Sequence, residues 1–315
     1  MGRTLDALRA AELRRADRLA PPLGPRRHRL IAVASNKGGV GKTTFALHLA
    51  VYLRALHEDL TILLLALDDQ TLIERTLAVG GEAGGPSIAD ALRAGRLEGA
   101  AVTGQYGIRF VPTARDAEAL RPLLAEPHSL EKLLRRSDVD GLVIVDTKSE
   151  LGPPTRAAVA AADLVIAPAR DVASLAEAEK VRGLLPAEAH ARFRVLLSGV
   201  DLRIKFEDGE AKDLLALLLG ELRRRGLLHF PTFLSRSPLV EALATAPGGP
   251  PRTVLHAAPR SLVHRQMGAL AQEVMDALDE QAPLEGEHEA APAEPATERL
   301  RELARWLLQP RGEPE

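Results

Sequence analysis

Apolar residues in this chain fall into short unbroken runs, separated by longer stretches where they recur every three or four positions. Residues 30–34 read LIAVA, residues 61–67 read TILLLAL and residues 142–145 read LVIV. Residues 164–167 and 194–197 are runs of the same kind. Short runs with no polar face predict strands buried on both sides, as in a parallel sheet. Between them, residues 43–56, 87–94, 174–185, 212–225 and 259–278 carry helical spacing, and 108–112 predicts one more strand. Strands alternating with helices predict an α/β fold: a doubly wound, mostly parallel sheet with helices on both faces. Such folds bind ligands outside the carboxyl ends of their strands. The loops after Ala34, Leu67 and Val145 are therefore where chemistry is expected.

Composition narrows the classes. The 315 residues are 46% hydrophobic and 27% charged, an ordinary globular balance that excludes global disorder. No apolar run reaches the roughly 18 residues that a spanning helix needs. Cysteine is absent, which removes disulfides, thiolate zinc sites, iron–sulfur ligation and a cysteine nucleophile, and fits a cytoplasmic location. The nine His are scattered without metal-ligand spacing, so zinc is not expected. A net charge of −2 argues against coating nucleic acid by bulk charge, so any such binding must use a local patch.

That charge is uneven. Residues 1–29 hold eight Arg and three acidic residues, whereas 281–315 hold four Arg and eight Glu. The chain divides accordingly. A basic N-terminal arm with a Pro-rich linker spans 1–28, and the α/β body spans 29–280. An acidic Pro/Ala linker (281–296) and a short amphipathic helix (297–310) around Trp306 follow. The arm lacks the unbroken apolar segment of a secretory signal. It reads as a solvated helix or an arm that contacts a partner or DNA. Residues 246–258, rich in Pro and Gly, read as a loop without an assigned role.

The first buried strand runs into Ser35-Asn36-Lys37-Gly38-Gly39-Val40-Gly41-Lys42-Thr43-Thr44, and a helical pattern follows. Strand, glycine-rich turn and helix form the setting a P-loop requires. Gly38, Gly39, Val40 and Gly41 would turn backbone N–H groups toward a phosphate, and the helix N-terminus adds partial positive charge. Lys42 would neutralise β- and γ-phosphate charge, the Thr43 hydroxyl would ligate Mg²⁺, and Thr44 would donate to the α-phosphate. Asp68 and Asp146 end buried strands beside this loop. That placement favours a catalytic or metal-linked role over a cap or a surface carboxylate. Asp69 reads as a helix cap in preference to a second water-orienting group.

The box K-G-G-x-G-K-T-T has Lys37 ahead of the glycines and Asn36 where the general P-loop pattern has Gly. It resembles the deviant Walker A box of the ParA/MinD family, dimerising ATPases that position DNA, cell-division proteins and other cargo. The resemblance covers most of 29–280. Residues 67–70 (LDDQ) sit where the family has L-D-P-Q, and 143–147 (VIVDT) are similar to its Walker B strand; 107–112 and 160–168 fit neighbouring strands. The resemblance implies ATP and Mg²⁺ as cofactors and a homodimer formed on ATP binding. Lys37 would reach across to the partner's nucleotide, in the manner of an arginine finger supplied in trans. Asp68 would orient the attacking water, with Lys37 and Lys42 completing the catalytic set, and Asp146 would act on Mg²⁺ through water. Slow, partner-stimulated hydrolysis is implied too, together with non-specific DNA binding on the nucleoid and a ParB-like or cargo-adaptor activating protein.

The chain departs from the family pattern at Ala66, where a second Asp is usual, and at Asp69, where Pro is usual. Lys148-Ser149 replaces the Pro-Pro that follows the Walker B strand, and no adenine-contacting Asn stands near Ser198-Gly199. Arg223, Arg224 and Arg225 either complement a helix dipole or, with Arg203, Lys205, Arg260 and Arg265, form a DNA-backbone patch. Two other readings remain. One is a MinD-like membrane-surface regulator that uses the 297–310 helix. The other is a slowly hydrolysing, nucleotide-dependent scaffold.

Overall fold

A computed structural model describes residues 23–68, 72–79, 84–113, 117–137, 139–206, 213–243 and 252–280. The arm before residue 23, Asp69, Gln70, Lys212, residues 246–251, the 281–296 linker and the Trp306 helix lie outside the described residues.

Eight strands form one sheet: β1 (Arg27–Val33), β2 (Ile62–Ala66), β3 (Val102–Thr103), β4 (Arg109–Phe110), β5 (Asp140–Asp146), β6 (Leu164–Ala169), β7 (Phe193–Val200) and β8 (Leu234–Ser235). Their order is β3-β4-β2-β5-β1-β6-β7-β8. Every neighbouring pair is parallel except β3 with β4 at one edge. The helices are α1 (Lys42–Leu56), α2 (Leu72–Leu77), α3 (Ile88–Ala94), α4 (Leu120–Leu123), α5 (Ser129–Arg136), α6 (Pro153–Ala161), α7 (Val172–Arg182), α8 (Leu214–Arg224), α9 (Pro238–Leu243), α10 (Val254–Ala257) and α11 (Leu262–Asp279).

Alternation along the apolar strands builds two cores. Leu30, Ala32, Leu63, Leu65, Val143 and Val145 point to one face, where they meet Ile88 of α3, Leu133 of α5, Ala157 of α6, Leu175 of α7 and Leu218 of α8. Ile31, Val33, Ile62, Leu64 and Ile144 point to the other, against Leu49 and Leu53 of α1 and Met267 and Leu270 of α11. Burying one such Leu or Ile stabilises the fold by about 1.5–3 kcal/mol relative to exposure. This accounts for the absence of a polar face in these strands: both faces are covered. The doubly wound, mostly parallel architecture is as expected.

The details differ in several places. β1 begins at Arg27, two residues ahead of the expected body boundary at 29. Its polar opening is held by main-chain pairing, Arg27 with Asp140 through Val33 with Asp146. Arg26 also joins the body: its guanidinium pairs with Asp163 at 2.7 Å, and Asp163 accepts from Leu30 N at 2.7 Å. Helices α2, α4, α5, α6, α9 and α10 have no counterpart in the hydrophobic pattern. Most are a turn or two long, and α6 buries Ala157, Ala158 and Ala161, whose small side chains leave a weak periodic signal. The segment 246–258, read as a loop, contains α10 at its end.

The register places the site. β5 lies between β1 and β2, pairing Asp146 with Val33 on one side and Ala66 on the other. The end of β5 therefore opens between the loop that follows β1 and the one that follows β2, at a switch point of the sheet.

Candidate functional site

The loop after β1 turns sharply into α1. Gly39 and Gly41 have φ values of +72° and +89°, a region that a side chain disfavours. Gly41 is the N-cap of α1, so the first N–H groups of the helix face outward beside the glycine turn. The expected cradle of Gly38, Gly39, Val40 and Gly41 is thus an open turn on a helix N-terminus, with Lys42 and Thr43 as the first two helical residues and Thr44 behind them.

Lys42, Thr43, Asp68 and Asp146 converge there. Lys42 and Asp68 are each 6% exposed and Asp146 is fully buried. Thr43 Oγ1 donates to Asp146 Oδ2 at 2.6 Å. Lys42 Nζ donates to Ser149 Oγ at 2.5 Å. Asp68 follows β2, where Leu67 N donates to the Asp146 carbonyl at 2.9 Å, and it acts electrostatically on both Lys42 and Asp146. Burial dominates both charged partners. It pushes the Asp146 carboxyl up to about 7 and the Lys42 ammonium down, against the attraction between the two.

The second oxygen of Asp146, Oδ1, is buried with no hydrogen-bond partner. A fully buried carboxylate oxygen without a donor is costly. Beside a threonine hydroxyl, it makes an all-oxygen set suited to a hydrated Mg²⁺. The residues present therefore fit a Mg²⁺–nucleotide: Thr43 and Asp146 on the metal side, Lys42 and the loop amides on the phosphates.

Lys37 lies away from this group. Its ammonium is held by both carboxylate oxygens of Asp171, at 2.8 and 2.7 Å. Asp171 is the N-cap of α7, accepting from Ser174 N at 2.7 Å. Burial raises the Asp171 carboxyl, but the bonds from Lys37 and Ser174 outweigh this and hold it below the usual range. Next to it, Asn36 Nδ2 donates to Glu177 of α7 at 2.5 Å, and Arg170 Nη1 donates to the Gly39 carbonyl at 3.3 Å. The loop is thus tethered to α7 along its outer edge.

On the far side of the loop from Asp68 lies a cavity of about 740 Å³. Gly41, Thr44, Ser198, Asp201 and Arg236 line its polar wall, and Val263 and Met267 its apolar end. It is large enough for a nucleoside.

The basic residues considered for a DNA patch are not all on one face. Arg223, Arg224 and Arg225 end α8 on one face of the sheet, whereas Arg265 is in α11 on the other. Several are engaged: Arg224 with Glu221 at 2.5 Å, Arg225 with Glu179, Arg203 with Asp201 at 2.7 Å and Lys205 with Asp213 at 3.3 Å.

A family model described as an AAA domain matches residues 28–176. The chromosome-partitioning ATPase Soj of Thermus thermophilus is 33% identical over 257 residues, which cover 80% of this chain and 97% of the relative. The chain belongs to the ParA/MinD family of P-loop ATPases. Among solved structures, the ATP complex of a Cyanothece McdA variant superposes with a TM-score of 0.61 at 18% identity, over 80% of this chain and 97% of that one. The Mg-ADP complex of the septum site-determining protein MinD from Pyrococcus horikoshii gives 0.60 at 20% identity, over 78% and 96%. Both likenesses show the fold.

In this ParA/MinD chain, sequence reasoning missed Asp171 and the bond from Lys42 to Ser149. Asp171 stands at the carboxyl end of a buried strand, ahead of Ser174 in capping spacing, and that signal was available. Ser149 is visible in the sequence only as a departure from Pro-Pro.

Proposed function

We propose that the chain is an ATPase that dimerises on binding Mg²⁺–ATP, holds DNA non-specifically in that state and releases it after hydrolysis, so positioning cargo on the nucleoid in the cytoplasm. The observation that carries this reading is the Thr43–Asp146 pair with its unpartnered Oδ1, at the mouth of a P-loop whose Lys42 is buried. Likeness to Soj favours chromosome or plasmid partitioning over other uses of the fold. None of the described helices is long and apolar enough to cross a membrane.

Thr43 and the ionised Asp146 would hold a hydrated Mg²⁺, which when bound would supply positive charge to the phosphates. Lys42 and the amides of Gly38 to Thr44 neutralise the phosphates, and Thr44 faces the nucleoside side. Asp68, at the opposite side, orients the attacking water by accepting its hydrogen bond. Lys37 must leave Asp171 to reach the partner's γ-phosphate, where its charge stabilises the transferring phosphoryl group. ATP thus biases a two-state assembly, and a ParB-like or cargo-adaptor protein accelerates its decay. Two weak DNA contacts, one per subunit, act together only in the dimer, so binding is ATP-gated and salt-sensitive.

The test is co-sedimentation of wild type, Asp68→Ala and Lys37→Ala with plasmid DNA and with anionic liposomes, each with ATP, ADP or no nucleotide. ATP should drive Asp68→Ala onto DNA and leave Lys37→Ala in solution. Recruitment to liposomes alone, or to neither, overturns the DNA-positioning reading.

A further inference from the structure

Ser149 occupies a particular place, at the end of a hydrogen bond from the P-loop lysine. The strand order separates two sides of the P-loop: Thr44 and the cavity lie toward β7 and β8, and Asp68 and Asp146, after β2 and at the end of β5, lie on the other side of β1. Lys42 Nζ reaches to this second side and donates to Ser149 Oγ. The hydroxyl is therefore one hydrogen bond from the ammonium that would meet the terminal phosphate, on the side where that phosphate is attacked. A serine hydroxyl that accepts from lysine still has a proton to donate, and it can turn that proton toward an anion.

The neighbouring residues make this position a pivot. Thr147 is fully buried and pinned, with both its N–H and its Oγ1 donating to the Val33 carbonyl at 3.2 and 3.0 Å. From Lys148 onward the chain is tied to another element. Lys148 pairs with Glu118 at 3.0 Å, Glu150 with Arg121 at 2.7 Å, and Glu118 with Arg121 at 2.6 Å. These four charges form a chain of alternating sign from Lys148 to Glu150 by way of the start of α4. Gly152 closes the segment, since a Cβ there would meet Glu150 Oε1 at 2.8 Å. The ion pairs thus join the residues on either side of Ser149 to residues 118–121.

We propose that Ser149 reads the terminal phosphate: its hydroxyl, parked on Lys42 without nucleotide, donates to the γ-phosphate of ATP, and the Lys148–Glu118–Arg121–Glu150 ion pairs carry that change to α4. This rests on the ATPase reading above. ADP offers Lys42 a β-phosphate but offers Ser149 nothing. The residue therefore sets preference between the two nucleotides rather than affinity for both.

The test is nucleotide titration with Mg²⁺ in a Lys37→Ala background, where no trans contact adds to the ATP signal. ATPγS and ADP are compared for that protein and for the same protein carrying Ser149→Ala or Ser149→Thr. The parent should prefer ATPγS. Ser149→Ala should lose roughly tenfold of that preference, about the worth of one hydrogen bond to a charged group, with ADP binding held or tightened. Ser149→Thr should restore it. Amide hydrogen exchange at residues 120–123 should respond to ATPγS and not to ADP, and Ser149→Ala should erase the difference. A Ser149→Ala protein that changes both nucleotides by the same factor, or neither, overturns the inference while the ATPase reading stands. A parent that binds neither nucleotide overturns both.

Discussion

Replacing Asp171 with Asn should tighten the ATP-bound dimer. In the single chain Lys37 is held in cis by two short bonds to Asp171, so its proposed reach across the dimer must first break that pair. Both side chains are about a third exposed or more, at 33% and 40%, which places the pair among partly screened surface ion pairs. Such a pair is worth about 0.2–1 kcal/mol. Two are broken per dimer, about 0.4–2 kcal/mol in all, so removing them should lower the dimer dissociation constant roughly two- to thirtyfold. Asn preserves the other duty of this residue, because it caps a helix as well as Asp and keeps the bond from Ser174 N. The assay is sedimentation equilibrium with ATP in an Asp68→Ala background, which holds the nucleotide intact. Tightening should vanish when Lys37→Ala is added. A dimer that is unchanged or weaker in Asp171→Asn, or tightening that survives the loss of Lys37, would refute the competition.

Three further outcomes follow from the same geometry. Because burial raises the folded pKa of Asp146 from 3.8 to about 7, its contribution to stability is complete below about pH 4 and is lost as pH rises through about 7. Asp146→Asn should flatten that part of the melting-temperature profile of the nucleotide-free protein, and should weaken Mg²⁺-dependent ATP binding at least tenfold. His48 has the opposite sign. Burial pulls its pKa below the ordinary 6.5, outweighing its bond to the Thr44 carbonyl, so stability is lost as pH falls below 6.5, by up to about 1.4 kcal/mol per pH unit; His48→Asn should reduce that slope. Arg26→Ala should cost about 1–3 kcal/mol in chemical denaturation, because it strips a largely buried partner from Asp163. A change near zero would return Arg26 to the arm.

Much of the fold and the loop was legible because the physics is local. A strand covered on both faces can afford no polar residue, so Leu30 to Ala34 and Leu142 to Val145 announce themselves. Gly39 and Gly41 sit at backbone angles that side chains disfavour, so a phosphate loop leaves a spacing in the sequence. Asp68 and Asp146 are readable as ends of buried strands. What could not be read depends on the sheet's register and on contacts between distant segments. The pairing of Lys37 with Asp171 spans 134 positions, and that of Lys42 with Ser149 spans 107. Whether Arg223 to Arg225 share a patch with Arg265 depends on the fold, and α8 and α11 lie on opposite faces. Helix α6 hid because its buried face is alanine.

The central claim is that Mg²⁺–ATP joins two copies of this chain through Lys37. Light scattering of size-fractionated Asp68→Ala protein measures it directly, with Mg²⁺–ATP against Mg²⁺–ADP. A dimer with ATP, a monomer with ADP, and a monomer under both conditions once Lys37→Ala is added are the predicted results. The same mass with either nucleotide, or an ATP dimer that persists without Lys37, would contradict the account.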